Sequence, residues 1–369
     1  MAGPHPALLD LAADRPLARQ VDWDRLVASA VEHRMGGLLW SRVRTGEIHC
    51  PTVWKEQLAG ADVVVRSRHR RIWEALASVN RRLGALDVEF AVIKGVPAEA
   101  RWYARAGERP CRDLDLLIGP GDVGRIGEVL AALDPEHELR DHAAELVELG
   151  LVQSFDLVVD GMAVDLHVDL FKLGPPCRHP ERLFARTVPL VLPDGGTVRA
   201  VDAELSLVHF LLHLNRDSYC WLLGFADVAR LLAGEDLDWE AIGRLVADEG
   251  LEAPVWGGLN AVTTTLGVPA PSRSPQGCRA SLWRALWRPS VRLQGDMGWV
   301  RYRRRPNWLP VVVDMGLPPV IAWSWRQLVL SPTLVAHTNP GRRGPWWWRL
   351  IRGRWGRAVE RRRAVRRLR

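Results

Sequence analysis

The sequence predicts an α/β or α+β core between two helical regions, and the main reason is a change in hydrophobic period along the chain. Apolar residues recur every three or four positions before residue 85 and again from 203 to 266, as in helices that bury one face. Between these regions, short apolar or alternating runs bounded by glycine, proline and aspartate are typical of strands. Strands flanked by helices indicate a sheet packed against helical layers.

The elements are assigned in chain order. The N-terminal region is predicted to form helices at 22–43 and 51–84. The core is predicted to contain strands at 88–93, 113–118, 151–159, 163–170 and 188–192. Helical stretches accompany them at 97–105 and 122–133, and Asp194-Gly195-Gly196 between two short runs predicts a hairpin turn. Helical spacing then returns at 203–216, 222–233, 238–248 and 252–266.

These elements divide the chain into four predicted parts. They are a helical N-terminal region at 1–85, a sheet-containing core at 86–200, a helical region packed on the core at 201–270, and a basic extension at 271–369. A cluster of prolines follows the last predicted helix, and proline cannot continue a helix. We therefore expect the globular part to end near residue 270.

The composition is that of a globular protein able to bury a core, since 47% of the 369 residues are hydrophobic and 25% are charged. No apolar stretch follows a basic start, and none reaches the ~20 residues of a membrane-spanning helix. We therefore expect a cytoplasmic protein. Five cysteines at wide spacings, without a Cys-x-x-Cys pair, argue against a disulfide framework or a zinc knuckle and indicate reduced thiols.

The charge is distributed unevenly along the chain. The net charge is +7, but residues 281–369 contain 20 arginines and only three acidic residues, so the rest of the chain is net acidic. Tryptophans are interleaved with these arginines. Such a segment predicts an anionic partner, either nucleic acid or an anionic membrane surface that would hold the protein peripherally. A solvated basic tail is the alternative.

Two short acidic motifs mark the candidate site. In the Asp-Leu-Asp motif at 113–115, the two aspartates project from the same face of one predicted strand, because side chains alternate along a strand. Further along the chain, an alternating run places Asp165, His167 and Asp169 on one face. Together these strands would supply carboxylates to a divalent metal. A polar strand face that simply meets solvent is the alternative.

A third motif is suited to phosphate binding. The apolar run 90–93 is followed by Lys94 and Gly95, and Pro97 stands where a helix would begin. Backbone N–H groups at the start of a helix, the positive end of its dipole and a lysine all attract phosphate. A plain strand-to-helix turn is the alternative.

The chain resembles the uncharacterised bacterial nucleotidyltransferase group of the DNA polymerase beta superfamily, whose members share three motifs in a fixed order. Here these motifs are Lys94-Gly95, Arg112-Asp113-Leu114-Asp115 and Asp165-Leu166-His167. The resemblance extends over roughly residues 20–265 and includes His209, His213, Trp221 and Asp227. The chain departs from the wider superfamily at Lys94-Gly95, where Gly-Gly or Gly-Ser is common, so its phosphate contacts would differ.

The resemblance implies an α+β fold in which 86–200 form a polymerase-beta-like core, a mixed sheet with flanking helices. It also implies a Mg²⁺-dependent enzyme that moves a nucleoside monophosphate from an NTP to an unknown acceptor, a small molecule, protein or RNA, and releases pyrophosphate. The catalytic residues, which would also be the ligands of a two-ion Mg²⁺ site, are Asp113, Asp115 and Asp165. The implied nucleotide-binding residues are Lys94, Gly95, Arg112, His167 and His213.

Several roles have alternatives. Arg112 would contact either a phosphate or a neighbouring carboxylate. His167 would contact nucleotide or metal, or only orient a ligand through a hydrogen bond. His213, Arg216 and Asp227 would line the cleft or tie the helical region to the core. For the whole chain, the alternative is a catalytically inactive nucleotidyltransferase-like module that binds nucleotide or RNA and is docked by its basic tail.

Overall fold

The computed structural model describes residues 4–269 except 18–19, 149, 151, 172–176, 218 and 220. The basic extension at 271–369, and with it the predicted anionic partner, lies outside the described residues. Within the described ranges, no helix combines the length and the apolar character needed to cross a membrane. The described cysteines with free thiols are Cys50, Cys111 and Cys177.

The described chain before the sheet forms helices α1 (Pro6–Ala12), α2 (Trp23–Glu32), α3 (Gly36–Arg44) and α4 (Thr52–Gly84). The prediction of one helix over 22–43 is wrong, because Arg34 adopts a left-handed conformation with φ of 61°. The Met35 N–H then donates to the Ala30 carbonyl at 2.7 Å, which closes α2 and lets α3 begin as a separate helix.

A six-stranded mixed sheet forms the centre of the molecule. Its strands are β1 (Phe90–Ile93), β2 (Leu114–Ile118), β3 (Ser154–Val159), β4 (Met162–His167), β5 (Thr187–Val191) and β6 (Thr197–Val201). They lie in the order β3-β4-β2-β1-β6-β5. The pairs β1/β6 and β2/β4 are parallel, whereas the other neighbouring pairs are antiparallel. This mixed sheet with flanking helices confirms the predicted α+β fold.

Short helices connect the strands. They are α5 (Gly95–Trp102), α6 (Ile126–Leu133), α7 (Ala143–Glu148) and α8 (Pro180–Ala185), with 3₁₀ turns at Pro120–Arg125 and Arg140–His142. The predicted hairpin is confirmed, since the Leu192 N–H donates to the Gly196 carbonyl at 2.8 Å between β5 and β6. Gly195 has a φ of 85° there, which glycine adopts without strain.

Helices follow the sheet as predicted, with bounds that agree to within one residue. They are α9 (Ala203–Arg216), α10 (Leu222–Gly234), α11 (Trp239–Glu249) and α12 (Glu252–Leu266). The Asp202 side chain accepts a hydrogen bond from the Leu205 N–H at 2.8 Å and so caps the start of α9. Gly250 and Gly267 end α11 and α12 in the left-handed conformation.

Two apolar clusters cover the two faces of the sheet. One cluster joins α1–α3 to α9–α12 and includes Ile93 and Leu117 from the sheet. The other packs α4 and α6 against Leu114, Leu116 and Leu166, whose side chains lie on the opposite face. The first cluster contains residues from both predicted helical regions, and the four-part division of the chain stays a prediction. Asp115, Asp165 and His167 lie on the sheet face that α9 covers.

Candidate functional site

Asp115 and Asp165 lie side by side on the central parallel strands. β2 and β4 pair so that Asp115 is opposite Asp165, and residues paired in this way project from the same face of a sheet. His167 lies two residues after Asp165 and shares that face. Its Nε2 atom is 3.1 Å from Asp165 Oδ2 and 3.3 Å from Asp115 Oδ1. The register of one strand pair thus brings three metal-type ligands to one point.

The side chain of Lys94 reaches the same point from the turn between β1 and α5. Its ammonium group donates to Asp115 Oδ1 and lies 3.3 Å from His167 Nε2 and 4.0 Å from Asp165 Oδ2. Lys94 has a φ of 58°, a conformation that costs a non-glycine residue on the order of 1 kcal/mol or more. The turn is therefore held in a strained shape that directs a cation at the two carboxylates.

The electrostatics of this cluster favour the ionised form of Asp115. Burial acts to raise the pKa of Asp115, but the Lys94 ammonium and the hydrogen bond with His167 hold that pKa well below its ordinary value. The residue Asp113 is exposed, yet its surroundings partly desolvate the carboxyl group, and this desolvation together with the Asp115 charge raises its pKa. Asp115 is therefore a permanent anion near neutral pH.

The donor set of Asp115, Asp165 and His167 fits a divalent cation. One ligand atom from each residue lies within 4.8 Å of the other two, a spacing that a single ion can span. Two of the three atoms are carboxylate oxygens, and the third is an imidazole nitrogen. The His167 ring is fully buried and its Nδ1 atom has no hydrogen-bond partner among the described residues. A cation bound here would compete with the Lys94 ammonium for the same oxygens.

Asp115 and Asp165 line a pocket of about 350 Å³. The other predicted site residues line this pocket as well, but they lie outside the three-residue cluster. They are Gly95 at the start of α5, Arg112 and Asp113 just before β2, and His213 on α9. Asp169 lies beyond the end of β4, where its carboxylate accepts hydrogen bonds from the backbone N–H groups of Phe171 and Cys177. Its carboxylate is therefore engaged by backbone groups, away from the three-residue cluster.

Two histidines on α9 approach the cluster from the covering layer. The His209 ring lies 6.4 Å from the His167 ring and 6.5 Å from the His213 ring, measured between centroids. The Nε2 atom of His213 lies 2.7 Å from Arg216 Nη2, and its Nδ1 atom lies 3.3 Å from Asp217 Oδ2. Burial, together with neighbouring cations, lowers the pKa of both histidines well below the ordinary value. Both are neutral at physiological pH.

A buried ion pair links the segment before β2 to α10. The Nε and Nη2 atoms of Arg109 each donate to the Asp227 carboxylate at 2.8 Å, and the Tyr103 hydroxyl donates to Asp227 Oδ1 at 2.6 Å. Asp227 lines the pocket and also ties α10 to the segment before β2. Arg109 and Tyr103 stand outside the recognised motifs, and no spacing in the sequence singles them out.

The N-terminal layer also contributes to the pocket. Arg34, at the break between α2 and α3, lines it together with Arg112 and Arg216. The Arg34 guanidinium lies 4.4 Å from the centre of the Trp221 ring. The only sequence signal for Arg34 is its position inside the range of roughly 20–265 that the resemblance covers.

The fold and the site define an α+β protein with a metal-type acidic cluster beside a cationic pocket. The family model of uncharacterised nucleotidyltransferases matches residues 19–267. This chain therefore belongs to that family, which confirms the resemblance seen in its motifs.

Comparison with solved and curated proteins adds little. An antigenic nucleotidyltransferase-like protein from Paracoccidioides brasiliensis is similar to this chain at 14% identity, with a TM-score of 0.32. The match covers 53% of this chain and 92% of that protein. At this similarity the match carries no argument about the present site. No curated protein matches the chain.

Proposed function

We propose that this protein is a Mg²⁺-dependent nucleotidyltransferase that moves a nucleoside monophosphate from an NTP to an acceptor and releases pyrophosphate. The observation that carries the proposal is the convergence of Asp115, Asp165 and His167, because the two aspartates of this cluster line a pocket that is also lined by arginines. Carboxylates that hold a cation and basic groups that hold phosphates are the two requirements of phosphoryl-group chemistry. The family membership supports the same reaction class.

Magnesium is the cation that best suits this role, because it prefers oxygen ligands and needs only one or two carboxylates beside phosphate oxygens and water. When bound, it would neutralise triphosphate charge and stabilise the pyrophosphate that leaves. Asp115 and Asp165 would hold this ion. The exposed Asp113 would complete a second ion site together with substrate phosphates.

Different side chains would assist the attacking acceptor and bind the nucleotide. An acceptor oxygen would attack the α-phosphorus, the bond to the oxygen bridging the α- and β-phosphates would break, and pyrophosphate would leave. Asp165 is the more accessible cluster aspartate, with 18% of its side chain exposed, so it would take up the acceptor proton. Lys94, Gly95, Arg112 and His213 would bind the nucleotide, with Lys94 moving from Asp115 to a phosphate.

The reaction is tested by label transfer. The protein is incubated with Mg²⁺, a cell extract as the source of small-molecule, protein and RNA acceptors, and each of the four NTPs labelled at the α- or the γ-phosphate. Transfer of the α-label, but not the γ-label, is expected for the wild type. Asp165→Asn should abolish this transfer, whereas Asp236→Asn, at an exposed residue after α10, should retain it. Transfer of the γ-label that requires the added wild-type protein, above the level in the extract alone, would contradict the proposed reaction.

An inactive nucleotide-binding or RNA-binding module is the second candidate function. It is favoured by the contact between Lys94 and Asp115, because an ammonium ion can balance the carboxylate without a metal. The same label experiment separates the two candidates. Nucleotide binding without α-label transfer to any fraction of the extract would favour the binding module.

A further inference from the structure

Two arginines in the pocket have no carboxylate partner. Arg34 comes from the α2–α3 break and Arg112 from the segment before β2, and both line the pocket that contains Asp115. Within the described part of the chain, neither guanidinium group forms a hydrogen bond or an ion pair. Arg109, which lines the same pocket, differs because its guanidinium group is held by Asp227. Burial and the Arg112 charge lower the pKa of Arg34, and the Asp217 and Asp113 charges offset only part of this effect. The repulsion between the two guanidinium groups favours an anionic ligand between them.

The structure holds the Arg34 side chain in place from both ends. Its backbone occupies the left-handed position after α2, where glycine is usual, so an arginine there costs about 1 kcal/mol of strain. The guanidinium group stacks on Trp221, which immediately precedes α10. A side chain fixed in this way loses little conformational entropy when it binds a ligand.

The chemistry of these groups matches phosphate. Guanidinium groups present paired N–H donors that fit two phosphate oxygens, and such charge-assisted hydrogen bonds are stronger than neutral ones. We propose that Arg34 and Arg112 together bind the polyphosphate of the NTP, with Trp221 as a positioning residue for Arg34. This inference rests on the proposed function and extends it, because it makes the N-terminal helical layer part of the nucleotide site.

The binding of inorganic triphosphate in the presence of Mg²⁺, measured by calorimetry, tests this inference. Arg34→Gln and Arg112→Gln should each weaken binding about tenfold to a hundredfold, as expected for a lost charge-assisted bond. Arg34→Gly should weaken binding equally while keeping or raising the thermal midpoint, because glycine relieves the strained backbone. Arg44→Gln removes an exposed arginine of α3 and should leave the affinity unchanged.

The role of Trp221 is tested through its dependence on Arg34. Trp221→Leu should weaken triphosphate binding in the wild-type background and have no further effect in Arg34→Gln. Trp221→Phe should recover part of the loss, because a phenyl ring also attracts a guanidinium group. Equal effects of Trp221→Leu in both backgrounds would show that Trp221 does not act through Arg34 and would overturn this positioning role.

The outcomes separate this inference from the proposed function. If Asp165→Asn loses Mg²⁺-dependent triphosphate binding but folded Arg34→Gly and Arg34→Gln bind like the wild type, the Arg34 assignment is wrong and the metal site stands. If Arg34→Gln weakens binding but Asp165→Asn does not, the anion site stands and the metal assignment fails. If the wild type does not bind triphosphate at all, both are overturned.

Discussion

Lys94 places an ammonium group where the Asp115 and Asp165 carboxylates meet the His167 ring. A lysine that contacts metal-type ligands has two consequences. It balances the buried Asp115 charge, and it would give up these contacts if a cation were bound. Metal affinity and the stability of the metal-free protein would therefore be coupled through one side chain.

The Lys94→Met variant tests this coupling. In the presence of a chelator it should lower the free energy of unfolding by about 3–5 kcal/mol, because Asp115 stays buried without its partner. Added Mg²⁺ should raise the melting temperature of the variant more than that of the wild type, since no ammonium competes for the oxygens. Lys55→Met, at an exposed position of α4, should behave like the wild type in both conditions. Equal Mg²⁺-dependent shifts in the wild type and Lys94→Met would contradict the competition.

The first residue of α5 packs closely against the residues that line the pocket. A Cβ atom on Gly95 would lie 3.0 Å from Arg109 Nη1 and 3.0 Å from Cys111 Sγ, closer than packed atoms normally approach. Arg109 cannot move away easily, because it is held by two hydrogen bonds to Asp227. The glycine after Lys94 is thus required by close packing at the first residue of the helix.

The Gly95→Ala variant should therefore be destabilised by about 1–3 kcal/mol, as expected for overpacking. A matched control is Gly60→Ala, because a Cβ atom at Gly60 in α4 meets no atom within 4 Å. The control should gain up to about 1 kcal/mol, since alanine favours the helix. Urea unfolding of both variants measures the difference. A stable Gly95→Ala variant would show that Arg109 and Cys111 adjust freely.

The strands carrying the site were predictable from the sequence, but their pairing was not. Alternation located Asp115, Asp165 and His167 on strand faces, because the polar positions recur with period two. The parallel register that sets Asp115 opposite Asp165 depends on contacts between distant segments. The antiparallel pairing of β3 with β4 sets Asp156 opposite Asp165, a neighbour that no motif indicated.

The boundary between α2 and α3 was also not predictable from the sequence pattern. Periodicity marked 22–43 as helical, but it did not show that Arg34 would break the segment, since a left-handed arginine has no local sequence signature. The apolar spacing continues across the break because α2 and α3 bury side chains in the same cluster. Arg34, which the hydrophobic period did not distinguish from its neighbours, lines the pocket.

The helical layers before and after the sheet share one apolar cluster. The contacts of Tyr103 and Arg109 with Asp227 add a buried polar link between the sheet-containing core and α10. Arg34 and Trp221 form a second link, between the N-terminal layer and α10. The pocket is therefore assembled from three parts of the chain, and its geometry depends on how they pack.

The pH dependence of the free energy of unfolding tests the contact between Tyr103 and Asp227. Burial and the Asp227 charge raise the pKa of Tyr103 well above its ordinary value of about 10. Above pH ~10 the unfolded state therefore releases a proton that the native state keeps, so stability falls by up to about 1.4 kcal/mol per pH unit.

Tyr103→Phe should lose about 1.5–3 kcal/mol at neutral pH, the value of a hydrogen bond to a charged group, but should show a smaller alkaline loss than the wild type. Urea unfolding from neutral pH to about pH 11 measures both effects. An equally steep alkaline loss in the wild type and Tyr103→Phe would show that Tyr103 is not the group responsible.

In the proposed function, Asp115 and Asp165 hold the cation through which the protein binds a nucleoside triphosphate. A calorimetric titration with non-hydrolysable NTP analogues, with and without Mg²⁺, tests this role. We expect Mg²⁺-dependent binding by the wild type and by Asp236→Asn, and its loss in Asp165→Asn and in the Asp115→Asn/Asp165→Asn double variant. Nucleotide binding that is independent of Mg²⁺ and unchanged in the folded double variant, or no binding by the wild type, would contradict this role.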